Sequence, residues 1–364
     1  MLHSPRRRAG IAGAALAAVA LTAAGCGGGG GGGGGPTIAL LLPENQTARY
    51  ETHDRPDFEA KLKQVCSNCK VLYSNATQDP TKQQSQADAA LTQGAKVLVL
   101  DPVDAGSAAA IVTKANARKV PVISYDRLIT KSDIAYYVSF DNARVGKLQA
   151  STLDAKLKSS GKAGGPIIMI NGDPADNNAK LFKQGATSQF AADGVKIAKQ
   201  YDTPGWLGSK AQDEAQQAIT GLGKNGFAAI YGANDDMAQG GIAAMTSAGI
   251  DPKTRPTTGQ DAALAGVQRI LIGTQYMTVY KAVTKEAQDA AVLAAAVAKG
   301  TKPPAGLINQ QTNNQKKSVP SVILTPVAVT KSKIKDTVVK DNFWKVSEIC
   351  TSAYAAACKA AGIQ

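Results

Sequence analysis

The sequence predicts an α/β protein made of two doubly wound, Rossmann-like lobes with a hinge and a ligand cleft between them. Short apolar runs rich in β-branched residues alternate with amphipathic stretches along nearly the whole chain. Because these runs are continuously apolar, they are typical of strands buried on both faces of a parallel sheet. The same alternation begins again near residue 140, which indicates a second lobe of similar construction.

The individual elements follow from the apolar runs and from the amphipathic stretches between them. In the first half, strands are predicted at 37–42, 70–73, 97–100 and 120–125, and helices at 56–66, 80–93 and 106–118. In the second half, strands are predicted at 166–170, 195–200, 228–231 and 255–259. Ligands of open α/β sheets bind beyond the carboxyl ends of the strands, so the residues that follow these strands are the candidates for a binding site.

The N-terminus has the features of an export signal. Arg6, Arg7 and Arg8 are followed by an uncharged run, rich in Ala and Gly, that extends to Gly25. This run is short for a membrane span, which needs about 20 apolar residues. Residues 1–25 are therefore predicted to be a signal peptide, and the folded part is expected outside the cytoplasm.

Cys26 follows a Thr-Ala-Ala-Gly segment and resembles the lipid-attachment site of bacterial lipoproteins, where small residues precede a diacylated Cys. Ala23 stands where this pattern prefers Leu, and a plain secretory signal or a weak membrane anchor are the alternatives. The nine glycines from Gly27 to Gly35 are expected to form a flexible coil. We interpret 26–36 as a lipidated Cys and a tether that hold the protein on the outer face of the cell membrane.

Composition and motifs argue against several other classes of protein. The net charge is +13, but the Lys residues are scattered and no basic run lies among aromatic residues, so no nucleic-acid partner is expected. The sequence contains no P-loop, nucleophile elbow or HExxH motif. Only two His residues occur, and His3 lies in the predicted signal, so a zinc cluster of Cys and His is not expected. No other metal and no cofactor is expected.

Four Cys residues remain when Cys26 is assigned to lipid, and an even number suits an oxidising compartment. Local disulfides are the preferred assignment, one between Cys66 and Cys69 and one between Cys350 and Cys358. A redox-active pair or half of a zinc site are the alternatives for the CxxC segment that Cys66 and Cys69 form.

Polar side chains stand at the carboxyl ends of several predicted strands, and Lys281 follows the apolar run 276–280. Six of them carry carboxylate, amide, guanidinium or ammonium groups, which can hydrogen-bond to vicinal hydroxyls. They are Asp126, Arg127, Asn178, Asn234, Asp261 and Lys281. Tyr50 and Trp206 could stack on the apolar face of a pyranose. A single Asp or Asn at a strand end is more often the N-cap of the next helix, but convergence at several strand ends favours a sugar site.

Five segments give the chain a resemblance to the periplasmic sugar-binding proteins of the ribose, galactose and xylose type, and most of all to D-xylose-binding proteins. They are 125–129 (YDRLI), 137–142 (YVSFDN), 176–182 (DNNAKLF), 259–262 (GQDA) and 273–281 (GTQYMTVYK). The resemblance spans about 37–345. It implies the fold of type I periplasmic binding proteins and a sugar held by Arg49, Tyr50, Asp126, Arg127, Asn178, Trp206, Asn234, Asp261 and Lys281. Tyr50 stands where the family usually has Trp.

The resemblance also implies how the chain is divided and how it works. The N-terminal lobe would comprise 37–139 and 261–320, the C-terminal lobe 140–260 and 321–345, and an extension 346–364. Crossing segments near 139–142, 259–260 and 324–326 would let a monomeric receptor close over a monosaccharide and dock on the membrane permease of an ABC importer. Arg127 and Asp261 are expected to serve the ligand rather than the scaffold.

Three other functions compete with sugar import. A glycoside-processing enzyme could use Asp126 and Asp261 as its two carboxylates. A sugar receptor could instead serve a sensor kinase or a chemoreceptor, which the receptor sequence alone does not distinguish from transport. A repressor of the lactose-repressor type would need a helix-turn-helix before residue 37, where this chain has a signal and glycines.

Overall fold

Twelve strands and eleven α-helices are formed by residues 34–363, the part of the chain that the computed structural model describes. The strands are β1 (Thr37–Leu42), β2 (Lys70–Asn75), β3 (Val97–Leu100), β4 (Val122–Tyr125), β5 (Tyr136–Phe140), β6 (Ile167–Asn171), β7 (Ile197–Asp202), β8 (Ala229–Gly232), β9 (Met277–Tyr280), β10 (Gln310–Asn313), β11 (Ser318–Leu324) and β12 (Val327–Thr330). The helices are α1 (Arg55–Val65), α2 (Pro80–Thr92), α3 (Ala109–Ala117), α4 (Asn142–Ser159), α5 (Asn177–Asp193), α6 (Gly208–Leu222), α7 (Asp235–Ser247), α8 (Leu264–Ile272), α9 (Val283–Ala298), α10 (Val346–Ile349) and α11 (Ala355–Ala360).

The first lobe is built on a sheet of seven strands in the order β10-β11-β5-β4-β3-β1-β2. Its neighbouring strands are parallel except for β10 and β11. Ile38, Leu40 and Leu42 of β1 pack on the face covered by α1 and α9. Ala39 and Leu41 pack on the opposite face with residues of α2 and α3. Both faces of β1 are therefore buried, which is the burial that a continuous apolar run predicts.

The second lobe has a parallel sheet of three strands in the order β7-β6-β8, beside an antiparallel pair formed by β9 and β12. Met277 and Val279 of β9 belong to the same apolar core as the residues of β6. The strand expected at 255–259 is instead a single bridge between Thr257 and Ile230. Pro256 lacks the amide N–H that a longer ladder would need at this point.

Two of the expected lobe boundaries differ from the packing. The first-lobe residues were expected to resume at 261, but β9 packs in the second lobe and α9 is the first helix to return beneath the first-lobe sheet. The other boundary, between 320 and 321, falls inside β11, whose residues 321–324 pair with β5. Both β9 and β11 are short apolar runs without a feature that identifies their lobe, so only the pairing assigns them.

The C-terminal extension packs on α8 of the second lobe. Ile349, Cys358 and Ile363 share an apolar cluster with Val267 and Ile270 of that helix. The structure pairs the four Cys residues locally, and its two disulfides are Cys66–Cys69 and Cys350–Cys358. The extension is therefore part of the folded body, and the Cys350–Cys358 disulfide cross-links it internally.

The predicted signal peptide, Cys26 and most of the glycine tether lie outside the described residues. Within 34–363 no helix has both the length and the apolar character to cross a bilayer. The same residues contain no cluster of His, Cys, Asp and Glu side chains arranged to hold a metal ion.

Candidate ligand-binding cleft

All nine side chains that the sequence predicts for the site line one cavity between the two lobes. They come from loops beyond the carboxyl ends of the strands, together with residues on the crossing segments. The space they surround, including its opening to solvent, is about 280 Å³. The lining residues are Thr47, Arg49, Tyr50, Asp126, Arg127, Asp176, Asn178, Phe182, Trp206, Asn234, Gln260, Asp261 and Lys281.

Arg49 and Tyr50 reach the cavity from the turn that leads into α1. The Arg49 guanidinium lies 2.7 Å from carboxylate oxygens of both Asp54 and Glu286, and 3.4 Å from Asp126 Oδ1. Tyr50 donates a hydrogen bond of 3.3 Å to Asp126 Oδ2. Two buried carboxylates thus fix Arg49, while its remaining nitrogen and the Tyr50 hydroxyl point to Asp126.

Asp126 is the carboxylate at the centre of the first-lobe side of the cleft. Burial opposes its ionisation, but the charges of Arg49, Lys281 and Arg127 outweigh this effect and lower the pKa of Asp126. Its backbone carbonyl accepts hydrogen bonds from Tyr137, Ser139 and Asn178. Asp126 is therefore held as a charged acceptor in a fixed position.

Arg127 lies among carboxylates of both lobes, and its side chain is 3% exposed. Its Nε is 3.2 Å from Asp176 Oδ2 and 3.7 Å from Asp101 Oδ1, and its Nη2 is 3.8 Å from Glu44 Oε1. The guanidinium also donates a 3.2 Å hydrogen bond to the Tyr50 hydroxyl. The expectation that Arg127 serves the ligand rather than the scaffold is therefore too narrow, because it also neutralises buried carboxylates.

Trp206 closes one side of the cavity and depends on a glycine for its position. Its indole Nε1 donates to Asp176 Oδ2 at 3.2 Å, and its ring meets Phe182 edge to face at 6.5 Å. A Cβ atom on Gly172 would lie only 2.0 Å from the Trp206 ring. The backbone after β6 must consequently lack a side chain at residue 172 for the indole to occupy this place.

The second-lobe side also carries Asn178, Asn234, Asp261 and Lys281. Asn178 accepts a 2.9 Å hydrogen bond from Asn142 and donates to the Asp126 carbonyl, so it connects the two lobes. Lys281 Nζ lies 3.0 Å from Asp261 Oδ1 and 4.0 Å from Asp126 Oδ1. The cavity thus presents charged hydrogen-bond donors and acceptors side by side, which suits a neutral polyhydroxyl ligand.

Three of the cavity residues have a backbone conformation that side chains other than glycine rarely adopt. The φ angles are +50° for Asp126, +55° for Trp206 and +86° for Asp261. Such conformations persist where the surrounding structure holds them in place, and they occur most often at binding and active sites. Their concentration here distinguishes the cleft from an ordinary interlobe contact.

Three lining residues were not predicted from the sequence, and Asp176 was included only within the segment 176–182. Phe182 lies one helical turn after Asn178 on α5, so the helical repeat alone would have placed both on one face. Gln260 directly precedes Asp261 in a crossing segment. Thr47 lies in a loop without periodicity, and no pattern in the sequence points to it.

A two-lobed binding protein that encloses a small polar ligand is the class that this fold and cleft define. Comparison with known proteins gives the family. Residues 38–302 match a family model described as a periplasmic binding protein domain. The chain belongs to the periplasmic binding protein family.

Named relatives share most of their length with this chain. It is 37% identical over 300 residues to the D-xylose-binding periplasmic protein of Escherichia coli, which covers 81% of this chain and 87% of the relative. It is 30% identical over 334 residues to the multiple sugar-binding periplasmic protein of Azospirillum brasilense, covering 85% and 90%. A carbohydrate transporter solute-binding protein of Chloroflexus aurantiacus, solved in complex with D-glucose, superposes with a TM-score of 0.77 at 29% identity, covering 85% and 97%.

These matches confirm the predicted fold class and the resemblance to periplasmic sugar-binding proteins. Members of this family are components of transport systems and not enzymes, so the expectation of a non-enzymatic protein is confirmed as well. The hypothesis of a glycoside-processing enzyme built on Asp126 and Asp261 is thereby set aside. Family membership also places the folded part outside the cytoplasm.

Proposed function

We propose that this protein captures a monosaccharide, D-xylose first, in the cleft between its lobes and delivers it to the membrane permease of an ABC importer. The observation that carries the proposal is the convergence of nine predicted polar and aromatic side chains on one small interlobe cavity. Asp126, Asp261 and Asn178 would accept or donate hydrogen bonds to ring hydroxyls. Arg49, Arg127 and Lys281 would donate to the same hydroxyls, and Trp206 would cover the apolar face of the ring.

The names of the relatives make D-xylose the first candidate. The relative from Escherichia coli, 37% identical to this chain, is named for D-xylose, whereas other relatives are named for several sugars. A hexose such as D-glucose adds one hydroxymethyl group to the same ring, so a modest preference is expected rather than complete exclusion.

Delivery requires that the protein stay near the membrane, and we propose that lipid on Cys26 anchors it there as a monomer. The glycine tether would separate the lipid from the body that begins at about residue 34. Closure of the lobes would be stabilised by a sugar that contacts both of them, and the permease would recognise the closed form.

Calorimetry with a panel of aldoses tests the proposed ligand. The body from residue 34 onward forms one compact unit, so it can be measured without the signal and the tether. We expect one D-xylose per chain, bound more tightly than D-glucose, D-galactose or D-ribose, with little dependence on salt. Bound sugar should also raise the melting temperature by mass action. If no aldose shifts the melting temperature, the proposed function is wrong.

Asp261→Asn tests the site within the same experiment. The amide keeps the size of the side chain but loses one acceptor and the charge that faces Lys281 Nζ at 3.0 Å. A hydrogen bond to a charged group contributes about 1.5–3 kcal/mol, so affinity should fall roughly tenfold to a hundredfold. Asp213→Asn, on the exposed face of α6, is the matched control and should bind normally. Unchanged affinity in Asp261→Asn would move the binding site elsewhere.

A further inference from the structure

Phe343 and Trp344, immediately before the C-terminal extension, contact both lobes at the rim of the cleft. The Phe343 ring stacks on His53 with centroids 4.0 Å apart and planes inclined by 16°. Trp344 meets the same His53 ring edge to face at 4.9 Å. His53 belongs to the turn before α1, whereas Phe343 packs into the cluster that covers α8. We call these three residues the rim aromatic cluster.

Trp344 also holds the backbone beside a predicted ligand residue. Its indole Nε1 donates a 2.9 Å hydrogen bond to the carbonyl oxygen of Ala262, which follows Asp261. Asp261 and Ala262 have φ angles of +86° and +49°, so this turn needs support from its surroundings. On its far side, Asp235 Oδ2 accepts a 2.8 Å hydrogen bond from the Ala263 amide. The Asp261 turn is thus fixed from two directions.

The rim aromatic cluster adjoins the sugar cavity without lining it. His53, Phe343 and Trp344 surround a second, neighbouring cavity that shares Asp261 and Gln260 with the first. Any effect of the cluster on the ligand therefore passes through other residues. Within the described part of the chain, His53 Nε2 is buried without a hydrogen-bond partner, and Nδ1 lies 3.8 Å from Asp57 Oδ2.

The extension fixes the position of Phe343 and Trp344 on the second lobe. Residues 346–363 pack on α8, and the Cys350–Cys358 disulfide closes this segment on itself. Phe343 and Trp344 are thereby held on the second lobe, while His53 belongs to the first lobe. The contact between the rings joins the two lobes in the arrangement that the structure shows.

We infer that Phe343 and Trp344 are positioning residues for ligand binding: Trp344 holds the turn that carries Asp261, and Phe343 receives His53 on closure. This inference rests on the proposed function, because it assumes that closure over a sugar is the binding event. Because the C-terminal extension holds Phe343 and Trp344 in place, it would contribute to sugar affinity as well as to stability.

Variants on the two sides of the contact test the inference separately. His53→Ala removes the first-lobe ring, and Trp344→Phe removes the N–H donor to Ala262 while keeping a smaller aromatic ring. Each should weaken D-xylose binding by about twofold to tenfold, seen as faster dissociation with unchanged association. His53→Phe restores a stacking ring and should restore wild-type affinity. Tyr354→Ala, in the same extension but outside the ring contacts described above, is the control.

The melting temperature without sugar separates positioning from a purely structural role. If His53 meets Phe343 only on closure, as inferred, His53→Ala should change this temperature by less than about 2 °C. Normal sugar affinity in both His53→Ala and Trp344→Phe would overturn the inference while leaving the proposed function intact. Failure of the wild-type protein to bind any aldose would overturn both. Weaker binding that His53→Phe does not restore would exclude the stacking contact as the cause.

Discussion

Replacing Arg127 by alanine is expected to destabilise the protein without ligand, and to do so more at pH 8 than at pH 5. The guanidinium lies within 3.8 Å of carboxylate oxygens of Asp176, Asp101 and Glu44, and these side chains are almost fully buried. Burial raises the pKa of each of the three carboxyl groups, and the charge of Arg127 lowers it again in each case. Arg127→Ala removes the positive charge that lowers these three pKa values, whereas the burial that raises them remains.

The magnitude follows from the loss of one partner in a buried group of charges. Removing such a partner costs about 3–5 kcal/mol, because an uncompensated buried charge remains. The carboxyl groups can avoid this cost by binding protons. Their pKa values in the folded variant lie above those in the unfolded chain, so the folded state holds more protons between the two values, and its stability falls as pH rises through that window. At pH 5 proton binding by these carboxyl groups therefore offsets part of the loss of stability, and at pH 8 the loss of stability is largest.

Urea unfolding of the wild-type and Arg127→Ala proteins at pH 5 and pH 8, without sugar, measures this difference. Lys183→Ala is the control, because Lys183 pairs with Asp202 at the surface, where side chains are 30% and 40% exposed and such pairs contribute only about 0–1 kcal/mol. A loss of stability in Arg127→Ala below about 1 kcal/mol at pH 8 would refute the argument. So would an equal loss at both pH values, because it would show that the carboxyl groups do not take up protons.

Two further predictions concern the anchor and the aromatic wall of the cleft. Cys26→Ser should release the protein from the membrane fraction without changing its sugar affinity, and a variant that stays membrane-bound would contradict lipid attachment. Gly172→Ala places a Cβ atom 2.0 Å from the Trp206 ring, so the indole must move. Sugar affinity should fall while the overall fold persists, as calorimetry and circular dichroism would measure, and Gly221→Ala on α6, where a Cβ meets open space, should have no such effect.

The fold class and the cleft residues could be predicted because both follow from local sequence. Continuous apolar runs indicate buried parallel strands, and the polar residues directly after them must lie at the carboxyl edge of the sheet. Asp126 and Arg127 after β4 and Asn234 after β8 are positions of this kind. Resemblance to a family added Arg49, whose turn has no comparable pattern.

The features that sequence did not predict depend on long-range packing. The lobe of β9 is decided by its pairing with β12 and by the core that Met277 joins, neither of which is visible in the local sequence. The contact between His53 and Phe343 joins residues nearly 300 positions apart. The role of Arg127 in neutralising Glu44 and Asp101 likewise appears only when separate loops converge.

Helix capping and ligand binding are not alternatives at the strand ends of this protein. Asp176 Oδ1 accepts the amide of Asn178 as the N-cap of α5, while its Oδ2 accepts from Trp206 and faces Arg127. Asn234 Oδ1 caps α7 by accepting two backbone amides, and the same side chain lines the cavity. Because a cap fixes the side-chain rotamer, it reduces the entropy that ligand binding would otherwise lose. A capping role at the carboxyl end of a parallel strand therefore favours a binding role for the same residue.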